Sequence, residues 1–242
     1  MPSGLVIDGL QYVGYVLEVG LLGLVLWRGH ARRLAAFSFY VGAYFAVDGI
    51  LRPCALHRYG PASVEYFYLY WLTDALLALC TFLLICAFFR RACSHDRNVW
   101  TFVRPILLLI LAFIVADSAF ALHQHYKHLF TAFIFVFNQN LYFTGAVLNT
   151  VLYLMLLRFE GPDRELELLV CGLGIQYAGP AANFALVHLT GNSSPAARLL
   201  TVYLPPLCAL GMLAVWFYAV ACWPCAISTD LAGDREGLPV PV

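Results

Sequence analysis

Seven apolar stretches, each close to the length needed to cross a bilayer, follow one another along this chain with only short polar breaks between them. About 20 mostly apolar residues span about 30 Å of hydrocarbon as a helix. The stretches are Leu5–Trp27, Leu34–Leu51, Tyr66–Phe89, Pro105–Leu122, Leu129–Leu157, Leu168–Leu189 and Leu199–Trp223. Their repeated length, more than their oiliness, separates this pattern from a soluble protein with a large core. Composition agrees: only 12% of the residues are charged, against about 25% in soluble domains. The ten-residue alternating segments of a membrane barrel are absent. The expected fold is therefore all-α: one seven-helix transmembrane bundle over residues 1–223, with 224–242 as a short cytoplasmic tail.

Orientation is read from Lys and Arg in the short loops. With the amino terminus outside, ten basic residues fall on the inner side, among them Arg28, Arg90, Arg91, Arg158 and Arg164. The outer side then holds four: Arg52, Arg58, Lys127 and Arg198. This asymmetry predicts amino terminus out and carboxyl terminus in, in a cytoplasmic or plasma membrane. No basic residue precedes the first stretch, which is longer than a typical signal-peptide core, so it is expected to be a retained span. Net charge is zero and no basic block occurs, so nucleic acid is not an expected partner. The bilayer is.

Ionisable groups at hydrocarbon depth are costly and usually face the bundle interior, which makes them the strongest functional lead. The first four spans carry acids away from their ends: Glu18, Asp48, Asp74 and Asp117. The last three carry amides and a histidine, including Asn138, Asn149, Gln176, Asn183 and His188. Helical spacing gathers several onto shared faces. Tyr40, Tyr44 and Asp48 recur every four residues, as do Tyr66, Tyr70 and Asp74. Asn138, Tyr142, Gly145, Asn149 and Tyr153 form a third stripe, and Gly172, Gln176, Gly179 and Asn183 a fourth. Such stripes let amides and Tyr hydroxyls bond to a carboxyl across helices, as plain interhelical glue. They equally suit a ligand or proton cavity in the outer half, built from Glu18, Asp48, Asp74, Asp117, Tyr70, Asn138, Tyr142, Asn183 and His188. No basic side chain is expected at that depth to neutralise the acids. Small residues at Ala35, Ser38, Gly42, Ala46 and Gly49 predict close approach by a neighbouring helix. Pro180 and Pro205–Pro206 predict bends in the last two spans.

Other motifs carry less. Cys222 and Cys225 have the spacing of a thiol–disulfide redox pair, but in this topology they sit at the inner, reducing face without a redox scaffold. The remaining Cys show no regular spacing, so free thiols are expected. His123, His125 and His128 could hold zinc or copper, yet Lys127 places a cation among them. Retinal would need a lysine in the last span, and Lys127, in a loop, is the only one. The Pro-Gln signature of three-plus-one-plus-three carriers is missing too. No nucleotide-binding, metalloprotease or nucleophile-elbow motif occurs, so no cofactor is expected, and an intramembrane enzyme trails behind the two classes below because no nucleophile–base pair or metal spacing stands out.

The run Tyr66-Phe67-Tyr68-Leu69-Tyr70-Trp71, with an acid three residues on and Arg90-Arg91 closing the helix, resembles an uncharacterised bacterial family of multi-pass, seven-helix membrane proteins with a Tyr-rich third span. That likeness implies a fold and brings no activity with it. Two function classes remain. One is a receptor- or sensor-like bundle whose outer-half cavity takes a small ligand or a partner helix. The other is a small secondary transporter using intramembrane carboxylates for proton or solute coupling.

Overall fold

A computed structural model describes residues 2–28, 34–60, 63–95, 97–124, 129–158, 163–190 and 195–222. Regular structure among them is helical throughout: α1 (Pro2–Trp27), α2 (Ala35–Phe45), α3 (Arg52–Tyr59), α4 (Val64–Ala92), α5 (Arg97–Gln124), α6 (Leu129–Arg158), α7 (Arg164–Thr190) and α8 (Pro195–Cys222). A wide π-helical turn, Ala46–Leu51, joins α2 to α3 without a break. Five helices are long and apolar enough to cross a membrane: α1, α4, α5, α6 and α8. The α2–α3 stretch is divided into short segments. In α7, Glu165, Glu167, Gln176 and Asn183 dilute the apolar run. The chain is thus a helical bundle with several membrane-spanning helices.

Packing runs α1 to α2, α2 to α4, α4 to α6, α6 to α7, α7 to α8 and α8 back to α1, a closed ring, with α5 laid mainly against α6. From α4 onward the long helices alternate in direction, and α1 runs the same way as α4, so the bundle has two ends. The Arg91 end holds the finish of α1, α4, α6 and α8; the Tyr70 end holds their beginnings.

The second span departs from its expected form. The expected helix stops at Leu51 and a loop begins at Arg52; instead the helix continues to Tyr59. Proline explains how. Pro53 has no N–H to donate, and its ring crowds the carbonyl four residues back. The wider turn relieves this, with the Arg52 N–H bonding to Val47 O. Helix α3 finally ends at Gly60, whose φ of 80° favours glycine. Ser63 then starts α4, its Oγ accepting from Tyr66 N at 3.1 Å.

Close helix contact rests on glycines other than those expected. Ala35 and Ala46 are exposed, a Cβ on Gly42 would meet open space, and one on Gly49 would meet the Phe45 ring of its own segment, so the small-residue stripe of the second span forms no tight seam with another helix. The tight seams lie elsewhere. A Cβ on Gly172 would stand 2.6 Å from the Trp216 indole, and one on Gly145 would run into the Tyr177 ring. The Gly172–Gly179 stripe is thus largely a packing seam between α7 and α8. Helices α7 and α8 also run unbroken through Pro180 and Pro205–Pro206.

Candidate functional site

Interior side chains change character along the bundle. Toward the Arg91 end, Leu21, Phe37, Phe82, Leu169 and Trp216 are all buried. Trp216 occupies the middle, its ring 4.9 Å from Phe37 and 5.7 Å from Tyr40. Its Nε1–H donates to Leu169 O at 2.9 Å. Toward the Tyr70 end the same faces open. On α4 the face buried at Thr73 and Leu77 leads to Tyr70, which is 38% exposed. On α1 the face buried at Glu18 and Leu21 leads to half-buried Tyr15 and exposed Gln11.

Where the two regimes meet stands a charged cluster. Arg52 Nη1 donates to Asp48 Oδ1 at 2.6 Å, and Nη2 to Asp74 Oδ1 at 3.4 Å. Its Nε donates to Thr73 Oγ1 at 3.2 Å. The guanidinium lies 4.3 Å from the centre of the Tyr70 ring, a cation–π placement. From the far side, Asn138 Nδ2 donates to Asp74 Oδ2 at 2.9 Å, and the Tyr142 hydroxyl also bonds to Asp74. Residues four apart share a helix face, so Asp48 and Arg52 leave the continuing helix on one side.

The expectation that no cation reaches the acids is therefore overturned. Arg52 does, because it is a helical residue whose side chain turns inward. Its signal was present in the sequence: an acid four residues before it and a proline directly after. Glu18, on α1, is buried at 3% exposure. Its Oε2 has no hydrogen-bond partner among the described residues, and neither does Asn138 Oδ1.

The structure brings together Asp48, Tyr70, Asp74, Asn138 and Tyr142, with Glu18 alongside. It does not add Asp117. That residue is exposed on α5 and accepts from Asn140 Nδ2 at 2.8 Å, because α5 lies outside the ring. Asn183 is half-buried on α7, one turn beyond the Gly179 seam, and its Oδ1 has no partner among the described residues. His125, His128 and Cys225 lie outside the described residues, as does the expected tail; the side chains of His123 and His188 are likewise not described. Cys222 is exposed and, like Cys54, Cys80, Cys86, Cys93, Cys171 and Cys208, forms no disulfide among the described residues.

A second charged group, not anticipated from the sequence, closes the opposite end. Arg91 Nη2 reaches Asp163 Oδ2 at 2.5 Å and Glu165 Oε2 at 2.8 Å. Both acids sit at the amino terminus of α7, where the helix dipole favours negative charge. Asp163 Oδ1 also accepts from Leu166 N at 3.4 Å. Nearby, Arg28 Nη1 donates to Val220 O at 2.9 Å, tying α1 to α8.

No protein-family model matches the chain, and no curated protein or solved structure does either. The reading of function therefore rests on the bundle alone.

Proposed function

We propose that this is a seven-span membrane protein of the receptor or sensor type, whose Arg52 cluster forms a binding site for a small polar ligand entering from the Tyr70 end. That end faces outside in the reading. The bias of ten inner Lys and Arg against four outer ones supports it. In this reading α2–α3 and α7 also cross the membrane, their polar residues turned inward. The observation that carries the proposal is the placement of Arg52 between carboxylates of two segments, at the level where packed interior gives way to exposed side chains. A charge set that served only as glue has no need of that position.

Thiol labelling tests this. In a cysteine-free background, Tyr70→Cys should react with a membrane-impermeant maleimide in intact cells, whereas Phe37→Cys should not. A position 70 that stays unlabelled from outside, or a labelled position 37, overturns the proposal. Reporter fusions should place the two ends of the chain on opposite faces.

Transport is the second reading, favoured by one specific observation. Arg52 bridges two helical segments near one end and Arg91 bridges α4 and α7 at the other. Two ion pairs on one helix could open in turn as that helix shifts. Solute movement in proteoliposomes, lost in Asp74→Asn, would establish it.

A further inference from the structure

The chemistry of the cluster says what kind of ligand it suits. Two carboxyl groups, Asp48 and Asp74, share a single guanidinium, and a third, Glu18, is buried on neighbouring α1. Two further observations point to a missing donor. Asn138 is fully buried, and its amide nitrogen is committed to Asp74, which fixes Oδ1 as an acceptor beside that carboxylate with nothing donating to it among the described residues. Glu18 is 97% buried, from its 3% exposure, and its Oε2 likewise lacks a donor. Buried acceptors without donors are costly, and the deficit is repaired by a group that brings N–H or O–H.

A metal ion suits the site poorly. No three His, Cys, Asp or Glu side chains converge on one point among the described residues, and a divalent cation needs its oxygens gathered within about 2.0–2.6 Å. The acceptors are spread out, and the rings of Tyr44, Tyr70 and Tyr142 lie among them. Spread acceptors with aromatic faces between them fit a cation that donates hydrogen bonds in several directions and carries an apolar body.

We infer that the ligand of the Arg52 cluster is a small protonated primary amine, its ammonium group accepted by Asp74 and Asn138 Oδ1. This rests on the binding-site reading above and adds the ligand class. The exchange is local. The Arg52–Asp74 contact, at 3.4 Å, is the longer of the two ion pairs. An incoming ammonium takes over Asp74 Oδ1 while Arg52 stays on Asp48, so the guanidinium is never stranded.

The test is thermal unfolding of the purified full-length chain in detergent at constant ionic strength. Titration with n-butylammonium chloride should raise Tm saturably. Sodium chloride and sodium butyrate should not, and tetramethylammonium, which has no N–H, should act far more weakly. Asp74→Asn should abolish the response. Should that variant fold poorly, Asn138→Leu keeps the cluster's charge and should weaken apparent affinity by at least about tenfold, the worth of one hydrogen bond to a charged group. No saturable response to butylammonium, an equal response to sodium or butyrate, or an unchanged affinity in Asn138→Leu would each overturn the inference. Failure here alongside a maleimide-reactive position 70 removes the amine and leaves the site; an unreactive position 70 removes both.

Discussion

The two halves of the bundle hold similar numbers of helices but use different chemistry to join them. Toward the Arg91 end, contacts are apolar and close, with Trp216 as the shared centre and glycines cut away to admit large rings. Lipid is as apolar as leucine, so helices gain from meeting there only through tight fit and satisfied polar groups. Toward the Tyr70 end, fit gives way to a guanidinium, two carboxylates and an amide, and side chains on the interior faces become exposed. One half is packed to hold shape. The other holds its charges where the interior faces become exposed, an arrangement suited to a ligand.

If that contrast is right, the largest effect belongs to the packed half. Trp216→Ala should cost about 3–5 kcal/mol, the range for truncating a buried aromatic, read as a fall in Tm in detergent. A change under about 1 kcal/mol would show that the centre is not the keystone of the fold. Next comes Arg52→Ala. Stranding a buried carboxylate costs about 3–5 kcal/mol, and the part-exposed setting brings the expectation to about 2 kcal/mol. Arg52→Lys, which keeps the charge but not the fork, should recover part of this.

Two smaller tests refine the boundary. Gly145→Ala should cost about 1–3 kcal/mol through overpacking against Tyr177, and Tyr177→Phe should not relieve it, since the clash involves ring carbons as well as the hydroxyl. Arg91→Gln should cost about 1–3 kcal/mol, because Glu165, 1% exposed at its side chain, loses its cation. Smallest of all, Asp117→Asn should stay within about 0.5 kcal/mol, its carboxylate lying on the exposed face of α5. A large effect there would return Asp117 to the functional cluster and redraw the division between the halves.

Much of the architecture was legible beforehand, for reasons that differ by element. The tyrosine, amide and acid stripes of the second, third and fifth spans follow from helical periodicity, and they bring Asp74 to Asn138. Arg52 was legible as a site residue only through the acid four residues before it and the proline after it. Ending the span at the last apolar residue puts the next arginine in a loop, and only the π-helical turn before Pro53 reverses that. The small-residue stripe Ala35–Gly49 misled for the opposite reason: periodicity identifies a face without naming its neighbour. Arg91 and Glu165 are 74 residues apart in the chain, a separation no local pattern bridges.

Composition and period alone determined that this chain is helical, that it belongs in lipid, and which side chains are too polar to face it. Backbone groups in hydrocarbon must bond within their own segment, so helix formation there is a local consequence of the residues present. Which helices touch, which acid meets a cation and which end stays open were decided only by tertiary structure. Those outcomes depend on the fit of distant surfaces, where a single missing Cβ at Gly145 or Gly172 decides whether two helices can meet.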